Sequence, residues 1–242
     1  MNSLEEITIR SNVEAYMEQK RREMERALEI CPEDLQEHYA YSEIDYEQHV
    51  AMWAPVYARM MDYMPGKVRE FLDLGCGEGK GLHYLFEKYP DIYVTAIDTS
   101  REMLEKLETR YNNQNVEVIR ADYFKRLFPK EAYDVVNIVG SLHHADANRK
   151  KRFFEKIYKI LKPGGRYIES DIYACCDAEE ELLRTTYIRL KEKWKSTHRE
   201  MHFDTPLTVR KEAYLLRTAG FREVQIYPAF EGAATIVAIK NE

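Results

Sequence analysis

Phe71-Leu72-Asp73-Leu74-Gly75-Cys76-Gly77-Glu78-Gly79-Lys80 decides how the rest of the chain is read. An apolar run ends in an acid and then breaks into three glycines spaced two apart. The run predicts a buried β-strand and the glycines a sharp turn into a helix, since glycine reaches positive φ and leaves bare backbone for a ligand to lie against. Such a turn sets a small ligand at the carboxyl end of a central parallel strand, beside a helix N-terminus.

Spacing tests which ligand. A dinucleotide fingerprint starting at Gly75 needs glycine at position 80, which is Lys80. A phosphate-cradling loop ending at Gly79-Lys80 needs glycine where Leu74 stands and Ser or Thr where Gly81 stands, so it fails twice. Downstream, short apolar strands alternate with helices. Ile92–Ile97 ends at Asp98, 21 residues after Gly77, close to the spacing of about 20 at which βαβ nucleotide sites carry a ribose-binding carboxylate. Val116 to Asp122 gives a third strand ending in Ala-Asp, and Tyr133–Gly140 a fourth. Asn148–Leu161 reads as a helix, and Lys162-Pro-Gly-Gly165 as a turn into strand Arg166–Asp171.

Asp73-Leu-Gly-Cys-Gly-Glu-Gly79 resembles the first motif of the class I S-adenosylmethionine (SAM) dependent methyltransferases, and Asp98, Asp122 and Leu161-Lys-Pro-Gly-Gly165 follow in that family's order over residues 67–172. The resemblance implies an α/β fold: a doubly wound, mostly parallel seven-stranded sheet with a C-terminal antiparallel hairpin, plus N-terminal helices. It implies SAM as cofactor and S-adenosylhomocysteine as product. The implied cofactor residues are Asp73, Gly75, Cys76 and Gly77, then Asp98 and Thr99 at the ribose, Asp122 and Tyr123 at the adenine, and Gly140. It also implies that the N-terminal segment caps the site, so residues 1–66 are expected to be a helical lid and 67–242 the SAM-binding domain, with a helical insertion at about 175–205.

Composition narrows the setting. A net charge of −6 gives no general attraction to nucleic acid or an anionic membrane. The start of the chain carries no basic and apolar leader pattern, and no apolar run approaches the roughly 18 residues of a membrane helix. Cys31, Cys76, Cys175 and Cys176 lack zinc-site spacing and are expected to be free thiols in a reducing cytoplasm. A small-molecule acceptor is expected, without nucleic acid or membrane, and a homodimer is left open.

The N-terminal region opens with a capping box, Ser11-Asn-Val-Glu14, before an amphipathic helix that Cys31-Pro32 ends. His49–Met64 repeats the pattern, with Met52, Trp53, Val56, Tyr57, Met60 and Met61 expected to pack on the sheet's flank. The aromatic stretch between them supplies Tyr39, Tyr41 and Tyr46 as lid candidates. After the fifth strand, residues 177–196 read as a helix with Glu179–Glu181 at its start and Lys191, Lys193 and Lys195 at its end, charges that complement the helix dipole at both ends, the basic cluster being a solvated helix end rather than an RNA groove. Thr208–Ala219 is the last helix, stopped by Gly220, and Arg222–Tyr227 and Ala233–Ile239 form the closing hairpin.

Methyl transfer is an in-line displacement, so the protein's work is alignment plus removal of the acceptor's proton. Ser141-Leu-His-His144 follows strand four, where many small-molecule methyltransferases carry Leu-His-His; His143 or His144 is either a base or a polar wall. Beyond strand five, Glu169, Asp171 and Tyr173 are expected at the same mouth. Thr197–Phe203 adds His198, Arg199 and His202; Arg199 could clamp a ligand carboxylate or form a surface salt bridge. The spacing of His198 and His202 fits no standard metal site, so no metal is expected. Residues Arg184–Ala238 resemble, more loosely, the synthase that makes carboxy-SAM, with Arg199 placed for the extra carboxylate. These residues also leave open methylation of RNA or protein, and SAM binding without catalysis. Neither the Asn/Asp-Pro-Pro-Tyr motif of adenine-N6 enzymes nor the Pro-Cys of cytosine-C5 enzymes is present.

Overall fold

The computed structural model describes residues 9–29, 43–194 and 203–241, without the side chains of 43–50 and 194. Helices α1 (Val13–Glu29) and α2 (Glu43–Met60) precede the alternating part: β1 (Glu70–Leu74), α3 (Leu82–Lys88), β2 (Tyr93–Asp98), α4 (Arg101–Arg110), β3 (Val116–Arg120) and β4 (Tyr133–Val139). There follow α5 (Ala147–Ile160), β5 (Leu161–Ile172), α6 (Asp177–Trp194), α7 (Val209–Thr218), β6 (Glu223–Pro228) and β7 (Ala233–Ile239). The seven strands lie in the order β3-β2-β1-β4-β5-β7-β6. The first five are parallel, and β7 runs antiparallel to both β5 and β6. This is the architecture the sequence predicts.

Helices cover both faces, so the central strands are buried on both sides and carry near-continuous apolar runs. The two-residue alternation of a strand sends neighbours to opposite cores. Leu72 and Leu74 pack with Val136, Ile138, Phe153, Phe154 and Leu216, whereas Phe71 packs with Val94, Val135, Leu82, Leu85, Met60 and Met64. Each of these fully buried side chains contributes about 1.5–3 kcal/mol. The chain runs outward from β1 through β2 to β3, then returns to β4 on the other side of β1. The crevice of a doubly wound sheet opens at that reversal, beyond the ends of β1 and β4.

Two local expectations change. The capping box does not form: Asn12, at φ 47°, accepts the first helical N–H from Tyr16 through its carbonyl, while Ser11 donates its N–H and hydroxyl to Glu231 Oε1 at 3.0 and 2.7 Å. Lys162–Gly165 does not precede a strand but bulges within one, four residues standing opposite Asp134 between the pairs Tyr133–Leu161 and Val135–Arg166. Glu179, in the first turn of α6, is buried beneath α1, accepting from the Tyr16 hydroxyl and from Cys175 N–H at 2.7 Å. Gly220 ends α7 as expected: at φ 119° it donates to Arg217 O, and Phe221 N–H reaches back to Leu216 O.

The N-terminal segment is stitched to the far end of the chain. Gly232 N–H donates to Ile9 O at 2.8 Å, and α1 lays Met24 and Leu28 against Leu182, Leu183 and Leu190 of α6. Among the described residues the cysteines are free, with Cys175 and Cys176 sulfurs 3.7 Å apart. Cys31 lies outside them.

Candidate active site

The loop after β1 forms one wall of the crevice. Gly75 sits at φ 64°, its N–H and that of Cys76 both donating to Ile97 O on β2. A Cβ on Gly75 would lie 2.7 Å from Ser141 Oγ, so only glycine lets the two walls approach here. Tyr123 closes the same corner, its hydroxyl 3.0 Å from Ser141 Oγ and its ring against Phe124 and Phe153. Asp98, at the end of β2, accepts from Gly77 N–H at 2.9 Å through Oδ2 and from Ser100 N–H at 2.8 Å through Oδ1. Each oxygen keeps a second lone pair for a ligand. Exposed Thr99 lies between those two anchors. Asp122 accepts from Phe124 N–H at 2.8 Å, with Lys125 at 3.3 Å from its other oxygen.

Beneath the loop, Asp73 and Asn137 face each other across β1 and β4, Asn137 Nδ2 donating to Asp73 Oδ1 at 2.8 Å. Burial pushes the Asp73 carboxyl up to about 7, against the pull of the Asn137 bond. Asn137 Oδ1 is buried with no donor among the described residues. Burial also pushes the Cys76 thiol far up, so that side chain is an inert lining group.

Helix α2, part of the N-terminal region, sets two side chains against the glycines of the β1 and β4 walls. Trp53 is buried, its indole 3.5 Å from where a Gly140 Cβ would stand and edge-on to Phe230. One turn on, the Tyr57 ring crowds Gly81 so closely that a Cβ there would meet it at 2.6 Å. These two side chains read locally as ordinary helix packing, and only the tertiary placement of α2 sets them on the β1 and β4 walls.

The two candidate histidines lie just past β4. Residues Leu142–His144 form a single 3-10 turn. His143 is buried with Nδ1 2.6 Å from Asp171 Oδ1. Asp171, at the end of neighbouring β5, also accepts backbone N–H groups from Leu142 (2.7 Å), His143 (3.0 Å) and Ile172 (2.8 Å). Burial raises the Asp171 carboxyl, but His143 outweighs it and the net shift is downward. Burial likewise opposes a charge on His143, yet Asp171 outweighs that too, and its pKa is raised. An ionised Asp171 fixes the proton on Nδ1 and leaves Nε2 as the basic nitrogen. Nε2 lies 3.5 Å from Asp204 Oδ1, and His144 Nδ1 lies 3.0 Å from the same oxygen. The sequence-level candidates stopped one residue short of Asp204, at Phe203.

Glu169 and Tyr173 are not at the mouth. Both are sealed in the interior, the Tyr173 and Tyr167 hydroxyls each donating to Glu169 at 3.0 Å. Tyr39, Tyr41, Arg199 and His202 lie outside the described residues, as does the side chain of Tyr46.

Residues 71–165 match the family model described as a methyltransferase domain. Phosphoethanolamine N-methyltransferase 3 of Arabidopsis thaliana is 31% identical over 68% of this chain and 31% of its own length. The Plasmodium falciparum phosphoethanolamine N-methyltransferase is 27% identical over 63% of this chain and 53% of its own length. Residues 71–165 are a methyltransferase domain of the class I SAM-dependent type. SAM is therefore its cofactor, and the bare glycine corner and orphaned Asn137 amide fit a small polar ligand at the crevice. This methyltransferase chain spans only about a third to a half of the length of those curated relatives. The fold also matches human N-acetylserotonin methyltransferase in complex with SAM, with a TM-score of 0.62 at 19% identity over 93% of this chain and 66% of that one. Among the described residues, no helix is long and apolar enough to cross a membrane.

Proposed function

We propose that this methyltransferase moves the methyl group of SAM to a small-molecule acceptor, with His143 as general base and Asp171 as the residue that orients it. The observation that carries the reading is the 2.6 Å contact between these two buried side chains at the end of β4, directly after the Gly140-Ser141 wall. SAM supplies an electrophilic methyl carbon on a sulfonium sulfur. The protein aligns the acceptor, keeps water out and takes a proton at His143 Nε2. His144, half exposed, serves as a polar wall.

The cofactor residues take roles by position. Gly75, Cys76 and Gly77 offer backbone to the methionyl part above Asp73. Asp98 accepts from the ribose hydroxyls beside Thr99, Asp122 and Tyr123 flank the adenine, and Gly140 faces it from β4. Trp53 and Tyr57 of α2 cover the crevice. The phosphoethanolamine N-methyltransferases among the relatives support a small molecule over a macromolecule, as does the net charge of −6. Calorimetry with SAM tests the cofactor site. Asp98→Ala is expected to weaken SAM by about 1.5–3 kcal/mol, the worth of hydrogen bonds to a charged group. Unchanged affinity would remove Asp98 from the ribose, and no binding to the unaltered protein would remove the cofactor assignment itself.

A further inference from the structure

We propose that Cys175 and Cys176 are a reversible thiol-modification site, which a peroxide closes into a disulfide and which loosens the N-terminal segment when closed. The pair lies in the bend between β5 and α6, and methyl transfer makes no use of it. The sulfurs lie 3.7 Å apart, with the Cys175 S–H directed at Cys176 Sγ. Both side chains are half-buried free thiols, within reach of a small oxidant.

The surroundings give the two sulfurs different parts. Burial and the Glu179 carboxylate push the Cys175 thiol up, so Cys175 keeps its proton. Cys176 is the sulfur that attacks, and Cys175 the one that resolves. In the first step Cys176, as its thiolate, attacks one peroxide oxygen. An S–O bond forms, the O–O bond breaks, and the departing oxygen takes up a proton and leaves as water. In the second, the Cys175 sulfur displaces the oxygen of that sulfenic acid. The S–S bond forms, the S–O bond breaks, and a second water leaves. The two thiols give up two electrons and two protons, and the peroxide is reduced to two waters.

A bond here is easily undone. Neighbouring Cα atoms across a trans peptide stand about 3.8 Å apart, whereas disulfides usually span about 4.4–6.8 Å. A bridge compressed in this way is strained, and strained disulfides are the readily reduced ones.

The backbone of the pair also anchors α1. Cys175 N–H donates to Glu179 Oε2 at 2.7 Å, and Cys176 O accepts from the N–H groups of Glu179 and Glu180 at 3.1 and 3.2 Å. Through its other oxygen Glu179 accepts from the Tyr16 hydroxyl of α1, and the Arg10 guanidinium lies 3.8 Å from the centre of the Tyr16 ring. Drawing the sulfurs in to about 2.0 Å turns the peptide between the cysteines and pulls Cys175 N–H and Cys176 O off these partners. The first turn of α6 loses its cap, and Tyr16 loses the fixed carboxylate that pins α1 to α6.

The test adds hydrogen peroxide to the purified full chain, alkylates the remaining free thiols and digests with trypsin. One peptide, residues 167–184, carries both cysteines. It should resist alkylation and weigh two hydrogens less, and dithiothreitol should restore both thiols. By hydrogen–deuterium exchange, amides of α1 and of the first turn of α6 should exchange at least tenfold faster after oxidation and recover on reduction. Cys176→Ser should show neither change, and Cys175→Ser should stop at a sulfenic acid on Cys176 that dimedone traps. Sulfinic or sulfonic acid in place of the bridge overturns the site, as does a bridge to Cys31, Cys76 or a second chain. A closed bridge with unchanged α1 exchange overturns the link to the N-terminal segment. No step needs SAM or an acceptor, so the outcome is independent of the methyl-transfer reading.

Discussion

Lys150 Nζ lies 2.9 Å from Glu212 Oε2 in the interior, with both side chains sealed from solvent. The other oxygen, Glu212 Oε1, faces no donor unless Glu169 carries a proton. Burial drives Glu169 well above the usual carboxyl range, so the two acids hold one proton between them next to a charged lysine. Removing one member strands a buried charge. Lys150→Met is expected to cost about 3–5 kcal/mol in urea unfolding, whereas Lys150→Met combined with Glu212→Leu should cost clearly less than either single change. Additive losses would show that the pair is not coupled.

The raised pKa of His143 has a direction that kinetics can read. A base must be neutral, and a raised pKa delays neutrality to higher pH. The acid limb of kcat should therefore have its midpoint above the value of about 6.5 for an unperturbed imidazole. Asp171→Asn should move that limb down and lower kcat by about 10²–10⁴ while SAM affinity holds. A limb that stays in place would detach Asp171 from the chemistry.

Trp53 makes α2 observable. The chain has two tryptophans, Trp53 and Trp194, so Trp194→Phe leaves emission from Trp53 alone. SAM should change that emission with the midpoint found by calorimetry. Trp53→Ala should weaken SAM by about 0.5–1.5 kcal/mol, the worth of an aromatic packing contact. Silent Trp53 emission during measurable SAM binding would place the indole away from the cofactor.

Much of this was legible in the sequence, for a local reason. The strand-glycine-helix turn at Phe71–Lys80, the acids ending β2 and β3, and the Gly220 stop are each dictated by near neighbours. What escaped depends on partners far along the chain. Ser11 reads as a helix cap until Glu231 claims its hydroxyl. Glu179 reads only as a charge at a helix start, and nothing near it in sequence announces the Tyr16 hydroxyl that covers it. Trp53 and Tyr57 look like flank packing, and Asp204 like an ordinary loop acid, because nothing nearby in sequence announces Gly140, Gly81 or His143. Of the two histidines, the residue pattern treated both alike; only Asp171, arriving from β5, separates them.

The stitching of Ile9 and Ser11 to Glu231 and Gly232 sets a timetable for biosynthesis. Ser11 and Glu231 are 220 residues apart, so the β6–β7 hairpin that carries Glu231 leaves the ribosome well after Ser11 does. At about 5–20 residues per second the N-terminal strap waits on the order of ten seconds or more for its docking site to exist. The parallel strands β1 to β5 can align earlier, but β7, inserted between β5 and β6, completes the sheet only once both strands of that hairpin have emerged. From the synthesis of β5 until that of β7 the growing chain thus carries an open β5 edge, and the hairpin that caps it also receives the N-terminal strap.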